Sequence, residues 1–404
     1  MSTFLLLVFL LLAACLIYFL YVKVNPTKKS GIKELYSEGL DLLVSGKKYS
    51  AYNNFKEIIS KDSNNVMAYL RLGQILRENG DNLKAIKIHK NLLLRTKLSS
   101  YEKIELHKNL SKDYYNVDNK KQSIIECKKI LEIDKKNEWA IRKIIKIYKE
   151  NNNWIDAEKY LNIYYQEYPA KKDNNKICLY KVHQSREYIK KQDYENARKI
   201  LNEALALNSA NSMIYFFMAK TYSEESNLIY EQAVTIENKG LDKYNNKEEY
   251  NNFVKSAKDM LSKAIPLWSH FCDISPNKVW VVLPLLKDAL FALDRYSELE
   301  NILIKLNEKF PNNTEILINL ADYHSHKGEY EKSLEDIERA IDKDNDSYLA
   351  KLIDIKLRLQ KNNDDYLAKK LEELISSLVK NERFQMLNTS NDYKDINVFF
   401  DEKI

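Results

Sequence analysis

Glycine and proline are scarce in this sequence, with 7 and 6 residues among 404. Both residue types mark tight turns, so their rarity argues against many such turns and favours a mostly helical body. Cysteine is also rare: the chain has 4, and no two of them form a C-x-x-C pair. This spacing implies no disulfide framework. The formal net charge of +6 is a mild bias among 30% charged residues, and by itself it does not indicate nucleic-acid binding.

Sequence motifs for catalysis are missing as well. The chain has no G-x-G-x-x-G or G-x-x-x-x-G-K-[ST] phosphate loop, no G-x-S-x-G elbow and no H-E-x-x-H helix. Two short clusters hold candidate metal ligands: His270, Cys272 and Asp273, and His324 and His326. A zinc site needs about four convergent ligands, usually as spaced pairs, and neither cluster offers them. We therefore expect no catalytic residue, no metal and no cofactor, and we expect Cys127 to be a packed small apolar side chain.

One long apolar run is present, at residues 4–22. A membrane-spanning helix needs about 20 apolar residues, so the run predicts a transmembrane anchor at residues 1–24. Lys23, Lys28 and Lys29 follow the run, and no lysine or arginine precedes it. By the positive-inside rule, this asymmetry predicts a single-pass protein of the bacterial inner membrane whose body lies in the cytoplasm.

Two alternatives to the anchor remain open. Leu12-Ala13-Ala14-Cys15 matches a lipobox, which would make the chain an envelope-side lipoprotein lipidated at Cys15. The other alternative is a cleaved secretory signal. Both are opposed by the lack of a basic residue before the run. The lipoprotein is also opposed by the apolar residues 16–22, because a polar tether usually follows a lipidated cysteine.

A regular period runs through the rest of the chain. Gly39 and Ala51 recur one period later as Gly73 and Ala85. Each unit carries two apolar stripes at helical spacing, separated by a polar turn, which predicts a helical hairpin. One hairpin cannot bury both stripes alone, whereas stacked hairpins bury a continuous core. The length and pattern of the unit resemble the tetratricopeptide repeat (TPR) family, and the resemblance implies an all-α solenoid with a right-handed superhelical twist.

The repeat frame predicts an order of domains along the chain. After the anchor, we expect a linker at 25–31, repeats 1–6 at 32–224, an irregular helical insert at 225–279, repeats 7–9 at 280–381 and a tail at 382–404. The apolar residues of the insert have helical spacing, but the segment is too long for one repeat helix. A long or doubled helix is therefore predicted there. Several aromatic residues near the insert either form a peptide-binding pocket or pack against the insert, and we favour packing: Phe216, Phe217, Trp268, Trp280 and Phe291.

The TPR resemblance implies that the first helix of each hairpin lines a concave groove. In repeats two to five, the inner positions of these helices are rich in cations. The predicted partner-binding residues are Arg71, Arg77, Lys108, Asn109, Lys112, Trp139, Arg142, Lys146, Lys149, Arg186 and Lys190, with Lys143 among them. Such a groove would attract a protein partner with an acidic segment or a C-terminal carboxylate. The competing explanation is that a lysine-rich composition scatters lysines over every surface.

The overall plan resembles the lipopolysaccharide assembly protein B family, which has an N-terminal anchor followed by about nine TPR-like units. That family ends in a zinc ribbon of two C-x-x-C pairs, whereas no cysteine follows the last repeat here. Only the general adaptor role is therefore carried over. The predicted function is a membrane-anchored scaffold that binds proteins through its groove without catalysis. An enzyme or a nucleic-acid binder is less well supported, because few aromatic residues are interleaved with the groove cations.

Overall fold

The computed structural model describes residues 31–94, 97–239 and 244–361, together with Leu371 and Leu374. Over these residues the secondary structure is helical and contains no β-strand, so the all-α prediction is confirmed. The chain falls into two compact units that divide between Ala170 and Lys171. We call them unit 1 and unit 2.

Unit 1 is built from helical hairpins in sequence order. Its helices are α1 Ile32–Val44, α2 Lys48–Lys61, α3 Val66–Glu78, α4 Asn82–Leu93, α5 Ser100–Asn116, α6 Lys120–Ile133, α7 Glu138–Glu150 and α8 Trp154–Glu167. Each odd-numbered helix packs against the helix that follows it, and each hairpin packs on the next hairpin. Short turns make the two helices of a hairpin antiparallel. The odd-numbered helices of unit 1 are therefore the first helices of their repeats.

Unit 2 continues with hairpins of the same kind and one longer hairpin. Its helices are α9 Asn174–Lys190, α10 Tyr194–Leu207, α11 Ser212–Glu237, α12 Tyr244–Ile274, α13 Leu283–Ala292, α14 Tyr296–Lys309, α15 Thr314–Lys327, α16 Tyr330–Lys343 and α17 Tyr348–Lys361. The helices α11 and α12 have 26 and 31 residues and pack on each other. The predicted start of the insert, residue 225, falls inside α11. The division into repeats and insert stays a prediction.

The aromatic residues near α11 and α12 belong mainly to the core of unit 2. Phe216, Phe217 and Trp268 are buried in one apolar cluster with Phe271. Phe291 is partly buried and packs against the same cluster. For the three buried residues the packing interpretation is confirmed, because none of them has enough free surface to contact a peptide.

A turn of two or three residues joins the helices of seven hairpins in the described chain, and one residue of each turn has a positive φ angle. Glycine adopts such angles without steric cost, and it occupies three of these positions: Gly46, Gly80 and Gly328. Residues with a Cβ atom occupy the other four, with φ between 54° and 60°: Asp118, Asn152, Gln192 and Asp294. Positions 46 and 80 are one repeat length apart, and so are positions 118 and 152. The period found in the sequence therefore corresponds to a recurring backbone conformation.

Asparagine residues begin several helices of unit 1. The side chains of Asn65, Asn119, Asn137 and Asn153 each accept a hydrogen bond from the backbone N–H three residues later. The first N–H groups of a helix lack partners within the helix, and an asparagine at this position supplies one. These caps fix where α3, α6, α7 and α8 begin.

Glycine allows the two helices of a hairpin to approach closely in the first two repeats. A Cβ atom on Gly39 would lie 2.8 Å from the Phe55 ring, and one on Gly73 would lie 2.3 Å from the His89 ring. Both distances are shorter than a van der Waals contact. The predicted close approach at Gly39 and Gly73 is confirmed.

Several predicted segments lie outside the described residues. These are the anchor at 1–24, Cys15 with its lipobox, the linker before Gly31, much of the last repeat and the tail at 382–404. In the part of the chain that the structure describes, no helix combines the length and apolarity needed to cross a membrane.

Candidate functional site

Three first helices of unit 1 carry a group of cations that we call the basic face. The basic face consists of Arg71 on α3, Lys108 and Lys112 on α5, and Lys143 and Lys146 on α7. These side chains are close enough to affect one another's pKa. The charges of Lys108 and Arg71 lower the pKa of Lys112, and the charges of Lys112 and Lys146 lower the pKa of Lys143. The structure therefore brings together predicted site residues from three consecutive repeats.

Lys112 lies at the centre of the basic face. Burial, and then the charges of Arg77 and Lys108, lower the pKa of its ammonium group. Its Nζ atom lies 5.7 Å from the centre of the Trp139 ring. The nearby Glu105 pairs with Lys108 at 2.8 Å, and no carboxylate within the described ranges forms an ion pair with Lys112. Lys112 is thus an exposed lysine beside an aromatic ring, without a counterion of its own in the described ranges.

Lys143 has a similar environment one repeat later. Burial, and then the charge of Lys146, lower the pKa of Lys143. Its Nζ atom lies 3.2 Å from the centre of the Tyr115 ring, an attractive cation–π contact. The Tyr115 hydroxyl donates a hydrogen bond to Glu150 at 2.7 Å, which raises the pKa of Tyr115. Lys112 and Lys143 therefore each lie beside an aromatic ring of the other helix. Lys112 on α5 lies beside Trp139 on α7, and Lys143 on α7 lies beside Tyr115 on α5.

The other cations of the basic face, and Arg142 beside it, have polar partners. Arg71 donates to Gln74 at 2.9 Å, and Lys146 and Arg142 lie near Glu150 and Glu138 at 3.8 and 3.6 Å. Arg142 is 71% exposed. Surface ion pairs of this kind contribute about 0–1 kcal/mol each. An anionic ligand can replace such pairs at little cost. Lys149 is half-buried on α7.

Arg77 does not offer an exposed charge, although the sequence placed it among the groove cations. Its guanidinium donates to Asp113 at 2.7 Å and to Asn109 at 3.2 Å, and its side chain is only 8% exposed. Asp113 is fully buried, and its other carboxylate oxygen contacts Nδ1 of the buried His89. A buried charge needs a partner, which explains this arrangement. The network joins α3, α4 and α5 beneath the basic face.

Sequence reasoning missed Asp113 and His89. His89 occupies the repeat position that Phe55 fills one repeat earlier, and Asp113 lies between the buried residues Ser111 and Tyr114. The available signal was that His89 and Asp113 each place a titratable side chain where the repeat pattern calls for an apolar one. Two such residues indicate a buried ion pair, but the sequence does not show that they contact each other.

Two further histidine–carboxylate pairs connect the helices of a single hairpin. His107 contacts Glu126 at 2.7 Å between α5 and α6, and His324 contacts Asp336 at 2.9 Å between α15 and α16. Burial raises the pKa of Glu126, but His107 and Lys129 lower it further, and the net shift is downward. In the described ranges, no three histidine, cysteine or acidic side chains converge as metal ligands would.

Arg186 and Lys190 lie on α9 of unit 2. Arg186 is buried, and Lys190 is exposed and pairs with Glu187 at 3.4 Å. Neither residue is part of the basic face.

Comparison with known proteins identifies the repeat. The tetratricopeptide repeat family model matches residues 180–211 and 314–346, which include the second half of α9 with α10, and the α15–α16 hairpin. The chain contains tetratricopeptide repeats. The predicted TPR resemblance is thereby confirmed.

A curated relative is the lipopolysaccharide assembly protein B of Escherichia coli strain K12. It is 19% identical over 189 residues, which is 46% of this chain and 48% of that protein. The protein of the same name from Escherichia coli O157:H7 gives the same values. The chain thus spans about half the length of the curated relatives it matches.

Solved structures of TPR proteins also resemble this chain. A thermophilic TPR protein from Thermus thermophilus is 14% identical, with a TM-score of 0.30, and the match covers 47% of this chain and 98% of that one. Yeast Tom70 is 11% identical, with a TM-score of 0.32, and the match covers 90% and 80%. The repeat assignment depends on the family match and on the hairpins themselves.

Proposed function

We propose that this chain is an adaptor that binds other proteins through the basic face of unit 1, without catalysis of its own. The observation that carries the proposal is the state of Lys112 and Lys143. Lys112 is exposed and Lys143 is half-buried, each lies beside an aromatic ring, and neither forms an ion pair with a carboxylate in the part of the chain that the structure describes. Perturbed titratable groups of this kind concentrate at functional sites.

The ligand that fits the basic face is an acidic protein segment or a C-terminal carboxylate. A carboxylate placed between Lys112 and Lys143 would relieve their mutual repulsion and supply charge-assisted hydrogen bonds. Trp139 and Tyr115 would provide apolar surface beside the bound group. The buried pair of Arg77 and Asp113 would hold α3 and α5 in register below the ligand. Nucleic acid is not the proposed partner.

We also propose that the chain is anchored in the bacterial inner membrane by residues 1–24, with its repeats in the cytoplasm. The support is the apolar run at 4–22, the lysines that follow it, and the similarity to a protein named for lipopolysaccharide assembly. The alternative is an envelope-side lipoprotein, which the Leu12–Cys15 motif favours. Intact-mass measurement of the chain from native cells separates the two: a chain that begins at a lipidated Cys15 would support the lipoprotein and contradict the anchor.

Charge removal at the basic face tests the adaptor. We would compare wild type, Lys112→Ala/Lys143→Ala and the control Lys87→Ala/Lys128→Ala, whose exposed lysines lie on α4 and α6. Crosslinking in native cells, affinity capture and quantitative mass spectrometry would measure partner yield. Hydrogen bonds to charged groups contribute about 1.5–3 kcal/mol, so capture by the first variant should fall at least about tenfold, while the control keeps wild-type yield.

A second variant reverses charge at the exposed rim. Arg142→Glu/Lys146→Glu should also abolish capture while the circular dichroism spectrum and melting temperature stay at wild-type values. Capture of the same proteins at equal yield by both basic-face variants would contradict the proposal.

A further inference from the structure

Unit 1 has two edges, because its helices run antiparallel. We call the edge with the connections between hairpins the loop edge, and the opposite edge, with the turns inside hairpins, the turn edge. At the loop edge the start of each first helix lies beside the end of a second helix. For example, the Tyr168 hydroxyl after α8 donates to the backbone carbonyl of Lys136 before α7, at 2.5 Å. The described chain enters unit 1 at this edge, because Gly31 caps the start of α1.

The connection between α4 and α5 departs from the repeat frame. The positive-φ turn residues Gly80 and Asp118 are farther apart in sequence than Gly46 and Gly80, by four positions. Near this connection two large apolar side chains face solvent: Leu94 is 81% exposed and Tyr101 is 63% exposed. Insertions in repeat proteins concentrate on one face, often the face that binds.

Lysines surround these apolar residues. Lys97 and Lys103 are exposed, and no ion pair to either is present in the described ranges. The acidic residue between them, Glu102, accepts hydrogen bonds from the backbone and hydroxyl of Ser99 at the start of α5. Exposed apolar residues flanked by lysines are the composition of surfaces that lie on anionic lipid headgroups.

The turn edge exposes apolar residues and lysines as well: Val44 is 89% exposed and Tyr49 is 79% exposed, and the exposed Lys47 between them forms no ion pair in the described ranges. Leu83 is 75% exposed, whereas its neighbour Lys84 pairs with Asp81 at 3.2 Å, and Lys48 pairs with Glu78 at 3.3 Å. Exposure alone therefore does not distinguish the two edges. Unpaired charge does not distinguish them either, and the position of Gly31 has to decide between them.

The length of the linker favours the loop edge. Eight residues, 23–30, separate the apolar run from Gly31, and eight residues span at most about 29 Å even when fully extended. With the run in a bilayer, Gly31 is confined to that distance from the membrane, and Gly31 lies at the loop edge. The turn edge lies farther from Gly31 by the length of α1, about 20 Å for 13 residues.

We propose that the loop edge of unit 1 docks on the anionic surface of the membrane that holds the anchor, with Leu94 and Tyr101 in the headgroup region and Lys97 and Lys103 on lipid phosphates. This inference rests on the proposed anchor but not on the basic face. Docking gives unit 1 a fixed orientation on the bilayer and holds the helices of the basic face upright on it.

A site-directed fluorophore tests the docking in the full chain. The three cysteines of the described chain are buried, and burial raises the pKa of Cys127 to about 11 and of Cys272 to about 12. A Cys15→Ala background therefore directs thiol labelling to an added cysteine. We would place an environment-sensitive dye at Leu94→Cys, and at Leu83→Cys as the matched control on the turn edge. The chains would be reconstituted into vesicles of phosphatidylethanolamine and phosphatidylglycerol, and quenching by spin-labelled lipid headgroups would be measured.

Docking predicts at least about threefold stronger lipid quenching at position 94 than at position 83. Pure phosphatidylcholine vesicles, or Lys97→Glu/Lys103→Glu in the labelled chain, should reduce quenching at 94 to the level at 83. Equal and weak quenching at both positions in vesicles that retain the chain would overturn docking while leaving the anchor intact. A dye at 94 that is shielded from water but not quenched by lipid would also overturn it, in favour of a protein contact. A chain that does not stay with the vesicles would overturn both docking and anchor, whereas partner capture tests the basic face separately.

Discussion

Replacement of Gly73 by alanine should destabilise unit 1. The added methyl group would lie 2.3 Å from Nε2 and 2.5 Å from Cε1 of the His89 ring. His89 is fully buried, and its Nδ1 atom is held by Asp113, which in turn accepts a hydrogen bond from Arg77. The ring cannot move away without loosening this network, so the clash is not relieved by a simple rotation.

The size of the effect follows from three contributions. Overpacking of a well-packed site costs about 1–3 kcal/mol. A weakened hydrogen bond to the charged Asp113 adds a further loss, up to about 1.5–3 kcal/mol if the bond is broken. In the opposite direction, alanine in place of glycine favours the helix by about 1 kcal/mol. We expect a net loss of about 2 kcal/mol in the free energy of local unfolding.

Hydrogen-exchange mass spectrometry is the suitable assay, because long repeat arrays often do not unfold in one cooperative step. Peptides from α3 to α5 should exchange about 30-fold faster in Gly73→Ala than in wild type, since about 1.36 kcal/mol corresponds to a factor of ten. The control is the same change in a His89→Ala background, where the space left by the ring accommodates the methyl group. Unchanged exchange in Gly73→Ala would refute the close packing of α3 on His89.

Two further predictions concern the turns and the acid stability of unit 1. Asp118→Gly should raise the free energy of unfolding by about 0.5–1 kcal/mol, because Asp118 has a φ of 56°, which is unfavourable for a residue with a Cβ atom. Gly80→Ala should lower the free energy of unfolding for the same reason. Thermal denaturation checks both variants. Because His107 and Lys129 hold the pKa of Glu126 below 4.5, its stabilising contribution is complete above that pH and is lost as pH falls further. Glu126→Gln should weaken this acid sensitivity, as measured by urea midpoints at about pH 3 and pH 7.

The repeat architecture could be predicted because it depends on local signals. Gly39 and Gly73 mark close helix contacts, and the polar turns around Gly80 and Asn152 mark the ends of first helices. Both features recur from one repeat to the next, so each occurrence supports the other. The long α11–α12 pair was less predictable, because nothing in its apolar spacing shows where one helix ends and the next begins.

The candidate site could be predicted only in part. Lys112 and Lys143 were on the predicted inner positions, since repeat phase determines which face of a helix a residue occupies. Arg77 was placed there for the same reason, but phase does not show whether a neighbouring helix supplies a buried carboxylate. Asp113 does so from 36 residues away, and a contact of that sequence separation is decided by packing.

The recurring turn has a consequence for how chains of this kind change length. Gly46 and Gly80 are one repeat apart and share the same backbone conformation, with φ of 74° and 89°. Excision of residues 46–79 would join Ser45 directly to Gly80 in a turn of unchanged geometry. The gene can therefore gain or lose the codons of one whole repeat by recombination between neighbouring repeats without creating a new loop. Such an event would pair Gly39 with His89, and it would remove Arg77 from Asp113.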